Sequence, residues 1–339
     1  MILDGDIIPP NEYCLTTIES RNIEVYILCN ENDSFEEMSR LINTILCLIS
    51  VFFIILTVFV YFLIPEPFEL QEIILIHSIS GLALGYISMA IINLAGYLPA
   101  GFCHGLAYLM YVSFLYSFFW LNILCFHIWK NVMHFESLER IKYWKIIYHI
   151  YGICSPFLAL CWVILLNHAQ PEGLDNIHPG IGGSICWFQS LRETAIFFYG
   201  PITVLLILNI VFFVWTAAEL WQRSKNCPKT KVLKYRLRLY MKLFFIMGIT
   251  WILEIVSAAF HDSKIRWIWI ITDIFNALQG FVIFLILVVF RKKIKRSLAS
   301  RKFYKLQFPV YWKNDKDSEC EELEEEFSLS YAHPAKINI

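Results

Sequence analysis

The sequence predicts an all-α protein, a bundle of seven helices that crosses a lipid bilayer. Composition is the first sign: of 339 residues, 58% are hydrophobic and only 17% charged, where soluble domains carry about 25%. Distribution is the second, because the apolar residues gather in long blocks separated by short polar stretches. Length is the third: each block reaches the roughly 20 residues needed to cross about 30 Å of hydrocarbon.

In chain order the expected spans are 41–64, 73–97, 104–129, 146–166, 196–218, 239–260 and 267–290. Backbone groups in lipid must be satisfied within the segment, and these runs are continuous rather than alternating, so helices are expected and a barrel is not. Ahead of them, 1–40 is expected to be a short extracellular segment. It has no basic region followed by an apolar one, and Asp4 and Asp6 stand before Pro9-Pro10, so it does not read as a cleavable signal. The first span is then expected to do its own targeting. After the last span, Phe290, Ile294 and Leu298 recur every fourth residue among cations, and 291–305 reads as a basic juxtamembrane helix on the lipid surface. The remainder, 306–339, reads as a disordered acidic tail, with eight Asp/Glu in 315–326. Ser328 and Ser330 beside them are phosphorylation candidates.

Orientation follows from basic residues near the span ends. With the N-terminus outside the cell, the segments 130–145, 221–238 and 291–305 face the cytoplasm with four, seven and eight Lys/Arg. The outside holds five: Arg21, Arg40, Arg192, Lys264 and Arg266. The loop 65–72 runs against the trend, with three Glu and no base. On this reading the protein is a multi-pass resident of the plasma membrane with its C-terminus inside.

Of ten cysteines, Cys14, Cys29, Cys103 and Cys186 lie outside in this topology, where thiols meet oxidant. Cys103 begins the third span and Cys186 lies in the loop before the fifth. A bridge between them would pin that loop over the bundle; the alternative is two unrelated free thiols. Cys14 and Cys29 are a second candidate pair. Asn32-Asp33-Ser34 is a glycosylation sequon. Seven spans, the cysteine pair, a basic third inner loop and a basic segment after the last helix together describe a G protein-coupled receptor.

Several motifs then resemble one family. Ser184-Ile185-Cys186-Trp187-Phe188, Tyr199-Gly200-Pro201 and Leu208-Asn209-Ile210 are similar to the second outer loop and fifth helix of Methuselah-like receptors, insect relatives of the secretin class. Phe118-Phe119-Trp120-Leu121-Asn122 resembles their third helix, RLRLYMKLFFIMGITWILEI (236–255) their sixth, and Thr272-Asp273, Asn276 and Gln279-Gly280 their seventh. The resemblance covers roughly 41–300. Departures are visible too. The family's large ectodomain is represented only by residues around Cys14 and Cys29, His127 stands where the third helix usually has Asp, and Leu124 replaces a glutamate of the secretin class.

Ionisable groups within spans suggest function. Glu254 and Asp273 each lie about 9–10 Å from the outer end of their helix, at 1.5 Å per residue. Being on consecutive helices at equal depth, they are expected as mutually repelling neighbours on a negative pocket floor. The candidate ligand contacts are therefore Glu254, Asp273, Asn276 and Trp187, facing the basic group of an extracellular ligand such as a peptide. The plainer reading is carboxyls satisfied by Asn276, Trp or backbone. His77, His127 and Gln279 are candidates for a polar network, against the simpler view of hydrogen-bonded core residues. Arg223, Lys225, Lys231, Lys234, Arg236 and Arg238 form a basic amphipathic face, the candidate contact for a heterotrimeric G protein or for lipid headgroups. Pro156 and Pro201 are expected to kink their helices.

No cofactor, metal or nucleic acid is expected, and the chain carries no HExxH or GxSxG signature. The rival reading is a transporter or channel with seven spans. Internal repeats and a ring of pore charges, which would favour it, are not visible.

Overall fold

The structure is a computed structural model and describes residues 2–3, 6–7, 13–18, 23–28, 31–64, 69–95, 98–133, 141–169, 178–182, 185–222, 237, 241, 248, 251–254, 256, 266–291 and 294–295. Two short hairpins precede the bundle. β1 (Ile2–Leu3) pairs antiparallel with β2 (Asp6–Ile7), and β3 (Tyr13–Ile18) with β4 (Ile23–Leu28), Cys14 standing opposite Ile27. These strands were not expected for 1–40. The signal for the longer pair is its β-branched and aromatic content, Thr16-Thr17-Ile18 against Ile23, Val25, Tyr26 and Ile27. Cys29 lies outside the described residues.

α1 (Glu31–Leu63) begins ten residues ahead of the expected apolar span, at 31 rather than 41, because the helix continues through the polar stretch before it. α2 (Leu70–Leu94) is closed at its start by a capping box: Glu69 N–H donates to Glu72 Oε2 at 3.2 Å, and the Glu69 side chain accepts from the backbone three residues on. The glutamates of the base-free loop therefore have a local structural use. α3 (Ala100–Met133) and α4 (Ile141–Ala169, containing Pro156) follow. α5 (Leu191–Gln222) includes a π-helical stretch, Ala195–Tyr199. It ends just before Pro201, which has no N–H to continue the regular ladder.

These five helices are long and apolar enough to span a membrane. The expected sixth span, 239–260, falls mostly outside the described residues; α6 is seen at 251–254. The last span is α7 (Arg266–Ala277) and α8 (Gln279–Phe284, extended by a π stretch to Val289), bent by 50° between them. α3 is the axis of the bundle, with 78% of its apolar window buried, while α4 lies at the edge with 22%.

Polar bonds stitch the helices at fixed heights. Ser78 Oγ on α2 donates to the Ser117 carbonyl on α3 at 2.9 Å. Asn122 Nδ2 on α3 donates to Asn209 Oδ1 on α5 at 2.8 Å, and Tyr151 Oη on α4 donates to Asn122 Oδ1 at 3.3 Å. The break between α7 and α8 deprives carbonyls of their usual donors, and α1 and α2 supply substitutes. Ser50 Oγ on α1 donates to the Ala277 carbonyl, and the Gly280 N–H donates back to Ser50 Oγ at 3.1 Å. Tyr86 Oη on α2 donates to the Asn276 carbonyl at 2.7 Å and lies 3.1 Å from Gln279 Oε1. Gly280 is required here, since a Cβ would run into the Ser50 backbone.

Candidate functional site

Cys103, near the start of α3, is disulfide-bonded to Cys186 in the loop before α5. That loop is held down at a second point by Asn167 on α4. Its Oδ1 accepts from Ile181 N–H at 3.2 Å while its Nδ2 donates to Tyr108 Oη on α3 at 3.0 Å. Gly182, at φ +79°, makes the tight turn between these anchors, its N–H donating to the Trp187 carbonyl at 3.2 Å. The left-handed conformation there favours glycine, and a Cβ would also meet His104 Cδ2 at 2.6 Å.

From this loop an aromatic chain descends into the bundle. Trp187 lies edge-on to Phe188 and to Phe198 of α5, with centroids 5.0 and 5.1 Å apart. Phe198 meets Trp251 of α6 at 5.9 Å, and Trp251 meets Phe114 and Phe118 of α3 at 5.2 and 5.1 Å. Such edge-to-face contacts add to area burial and fix ring orientation.

One helical turn beyond Trp251 stands Glu254. Its carboxyl hydrogen-bonds to that of Asp273 on α7, and the Asn276 side chain bonds to Glu254 as well. Tyr199 of α5 lies within electrostatic reach of both acids, and Tyr86 of α2 within reach of Glu254. Asn276 Oδ1 and Gln279 Nε2 have no hydrogen-bond partner among the described residues. Groups from α2, α5, α6, α7 and α8 thus converge on one spot just above the α7–α8 break. The carboxyls give it affinity for a cation or hydrogen-bond donor, and its helices are those that a bound group would draw together.

The structure brings Glu254, Asp273 and Asn276 into contact and places Gln279 one turn below them. Trp187 lies further out, joined to them through Phe198 and Tyr199. The two histidines occupy separate places. His77 Nδ1 is 2.8 Å from Tyr116 Oη, and its ring stacks on Trp120 at 4.2 Å. His127 sits 3.3 Å from Tyr148 Oη and accepts from Asn131 Nδ2 at 3.0 Å. Asn32 is in the first turn of α1. Arg223, Lys225, Lys231, Lys234, Arg236 and Arg238 lie outside the described residues.

A second constellation, at the end of the bundle away from the disulfide, escaped sequence reasoning. Arg291, read there as one of the cations on the surface helix, is only 2% exposed. Its Nη1 donates to Tyr61 Oη at the end of α1 (2.9 Å) and to Glu72 Oε1 at the start of α2 (3.1 Å). A signal was present in Glu72, an acid in a loop without any base. Tyr86, Tyr199 and Ser50 were also missed, since hydroxyls in apolar runs look unremarkable one at a time. Among the described residues no group of three or more His, Cys, Asp or Glu could hold a metal ion.

The fold, with its disulfide-anchored loop over a polar centre, defines a multi-pass helical membrane protein of the seven-helix receptor class. The profile of the seven-transmembrane receptors of the secretin family matches residues 36–283, and the chain belongs to that family. Within it, similarity is to Methuselah-like receptors of Drosophila. The G-protein coupled receptor Mth2 of Drosophila simulans is 31% identical over 322 residues, covering 88% of this chain and 59% of the relative. Mth2 of Drosophila yakuba gives the same identity and coverage. The probable G-protein coupled receptor Mth-like 10 of Drosophila melanogaster is 30% identical over 332 residues, 88% of this chain and 56% of that one. The chain therefore spans well under two thirds of the length of these relatives.

Proposed function

We propose that the protein is a plasma-membrane receptor that passes an extracellular signal, such as a peptide, to heterotrimeric G proteins. The observation that carries the reading is the convergence of Glu254, Asp273, Asn276 and Tyr199 beneath the disulfide-anchored loop. A ligand that presents a basic group to these carboxyls gains contacts on α5, α6 and α7 together. It thereby favours one arrangement of those helices over another, a population shift rather than a pushed lever. In sequence, the basic stretch from Arg223 to Arg238, the candidate G protein surface, follows the far end of α5 and leads into the expected sixth span. In this reading the disulfide end, with Asn32 near it, faces outside, in keeping with an oxidising compartment and with the excess of Lys and Arg in the opposite loops.

The test is nucleotide exchange in membranes co-expressing the full chain with individual G proteins, set beside ion flux in the same cells. Exchange above that of membranes lacking the chain, abolished when Arg236 and Arg238 are both changed to Glu, is the expected result. Flux without exchange would instead favour a transporter or channel.

A further inference from the structure

We propose that the groove between α2, α3 and α4 binds a membrane sterol through the sterol's single hydroxyl. Four polar or aromatic side chains meet there. Tyr116 Oη of α3 lies 2.8 Å from His77 Nδ1 of α2, and the His77 ring stacks on Trp120 of α3. His149 of α4 approaches edge-on to both, 5.3 Å from the His77 ring and 5.2 Å from the Trp120 ring. Two glycines let the rings of α3 lie close against α2 and α4: a Cβ on Gly81 would meet Tyr116 Cδ1 at 2.8 Å, and one on Gly152 would meet Trp120 Cε2 at 2.7 Å.

The hydrogen bonds leave a defined remainder. His149 Nδ1 lies 2.8 Å from the Lys145 carbonyl. A carbonyl only accepts, so that nitrogen carries the proton and Nε2 is left as an acceptor. His77 Nδ1 is taken by Tyr116; with the phenol donating, His77 Nε2 is left as a donor. Neither Nε2 has a hydrogen-bond partner among the described residues. Both rings are half-buried on a face that meets lipid, flanked by exposed Leu84 on α2 and exposed Ile153 and Phe157 on α4. Hydrocarbon offers no water to satisfy them. One donor and one acceptor on rings whose centroids are 5.3 Å apart match a hydroxyl, which accepts and donates at once.

Depth selects the lipid. His77 is four residues inside the expected second span and His149 three inside the fourth, so both lie about 5–6 Å below the apolar edge remote from the disulfide. A phospholipid reaching this level would drag its phosphate into the apolar layer. A sterol brings one hydroxyl and a rigid apolar body, which from there runs along Ile153 and Phe157 toward the bilayer centre.

The full chain, reconstituted in phosphatidylcholine nanodiscs, would be irradiated with a diazirine-bearing sterol and the labelled peptides mapped. Labelling of α2 and α4 near His77 and His149 is expected. It should fall about fivefold when the probe is replaced by its O-methyl ether, which still accepts from His77 but no longer donates to His149, and about tenfold or more when His77→Phe and His149→Phe are combined. The ether comparison uses the unaltered protein and so does not depend on the variant folding. Equal labelling by the ether, equal labelling of the same peptides by a diazirine diacylglycerol, or labelling indifferent to both substitutions in a folded variant would overturn the proposal.

Discussion

At the disulfide end of the bundle two carboxyls, Glu254 and Asp273, meet each other among an asparagine and two tyrosines; at the far end a carboxyl, Glu72, meets the guanidinium of Arg291. Both sites bury ionisable groups at helix junctions, yet their energetics run in opposite directions. The Arg291–Glu72 pair sets opposite charges against each other, with Tyr61 sharing the guanidinium's Nη1. Its use is to hold three helix ends in register: those of α1, α2 and the last span. The acid pair sets two carboxyls against each other around a shared proton, an arrangement with affinity for a cation or a donor. One junction joins opposite charges and the other joins like groups.

The sharpest way to break this comparison is to remove Arg291. Arg291→Leu leaves Glu72 buried without its cation, a change expected to cost about 3–5 kcal/mol. It would be read as a lowered unfolding midpoint of the purified protein. Exchanging the charges, with Arg291→Glu and Glu72→Arg together, should recover part of the loss. If the double exchange is no better than the single substitution, the pair does not act as a clamp.

The hinge between the two regions comes next in size. Gly280→Val places methyl groups against the Ser50 backbone, and overpacking of this kind costs about 1–3 kcal/mol. The same measurement applies, with Ser50→Ala as a milder companion that removes the bond to the Ala277 carbonyl without adding bulk. Tyr86→Phe should cost less, about 1 kcal/mol, because it deletes a hydroxyl that satisfies the Asn276 carbonyl but leaves the ring in place. A larger loss for Tyr86→Phe than for Gly280→Val would mean that α2, rather than α1, holds the break.

The two regions also differ in how far they could be read from the sequence. Glu254 and Asp273 were legible because an acid in an apolar run stands out and consecutive helices bring equal depths together. The Cys103–Cys186 bridge was legible for a similar reason, since oxidising topology leaves few partners. Five of the expected spans appear as long helices, and the last appears as a bent pair. The clamp was not legible, because Arg291 sits among seven other cations in 291–305 and nothing local distinguishes the one that turns inward. Its partner is 219 residues away in sequence, a distance no periodicity encodes. The separation of His77 from His127 was hidden likewise: which face of α3 each helix meets is set by packing, and α4 supplies His149 and Tyr148 to opposite neighbours.

The smallest expected effect is the most informative about the acid pair. Glu254→Gln keeps the side chain's shape and its ability to bond Asp273 and Asn276, and it replaces the proton shared by the two carboxyls with a permanent amide donor. Stability should change by no more than about 1 kcal/mol, and upward, since the amide donates to Asp273 without a second acid beside it. The unfolding midpoints of Glu254→Gln and Arg291→Leu, measured side by side, therefore ought to move in opposite directions. A fall with Glu254→Gln as deep as that with Arg291→Leu would mean that a cation already answers the acids within the protein. The disulfide end would then be a second clamp, and the pocket for a basic ligand group would have to lie elsewhere.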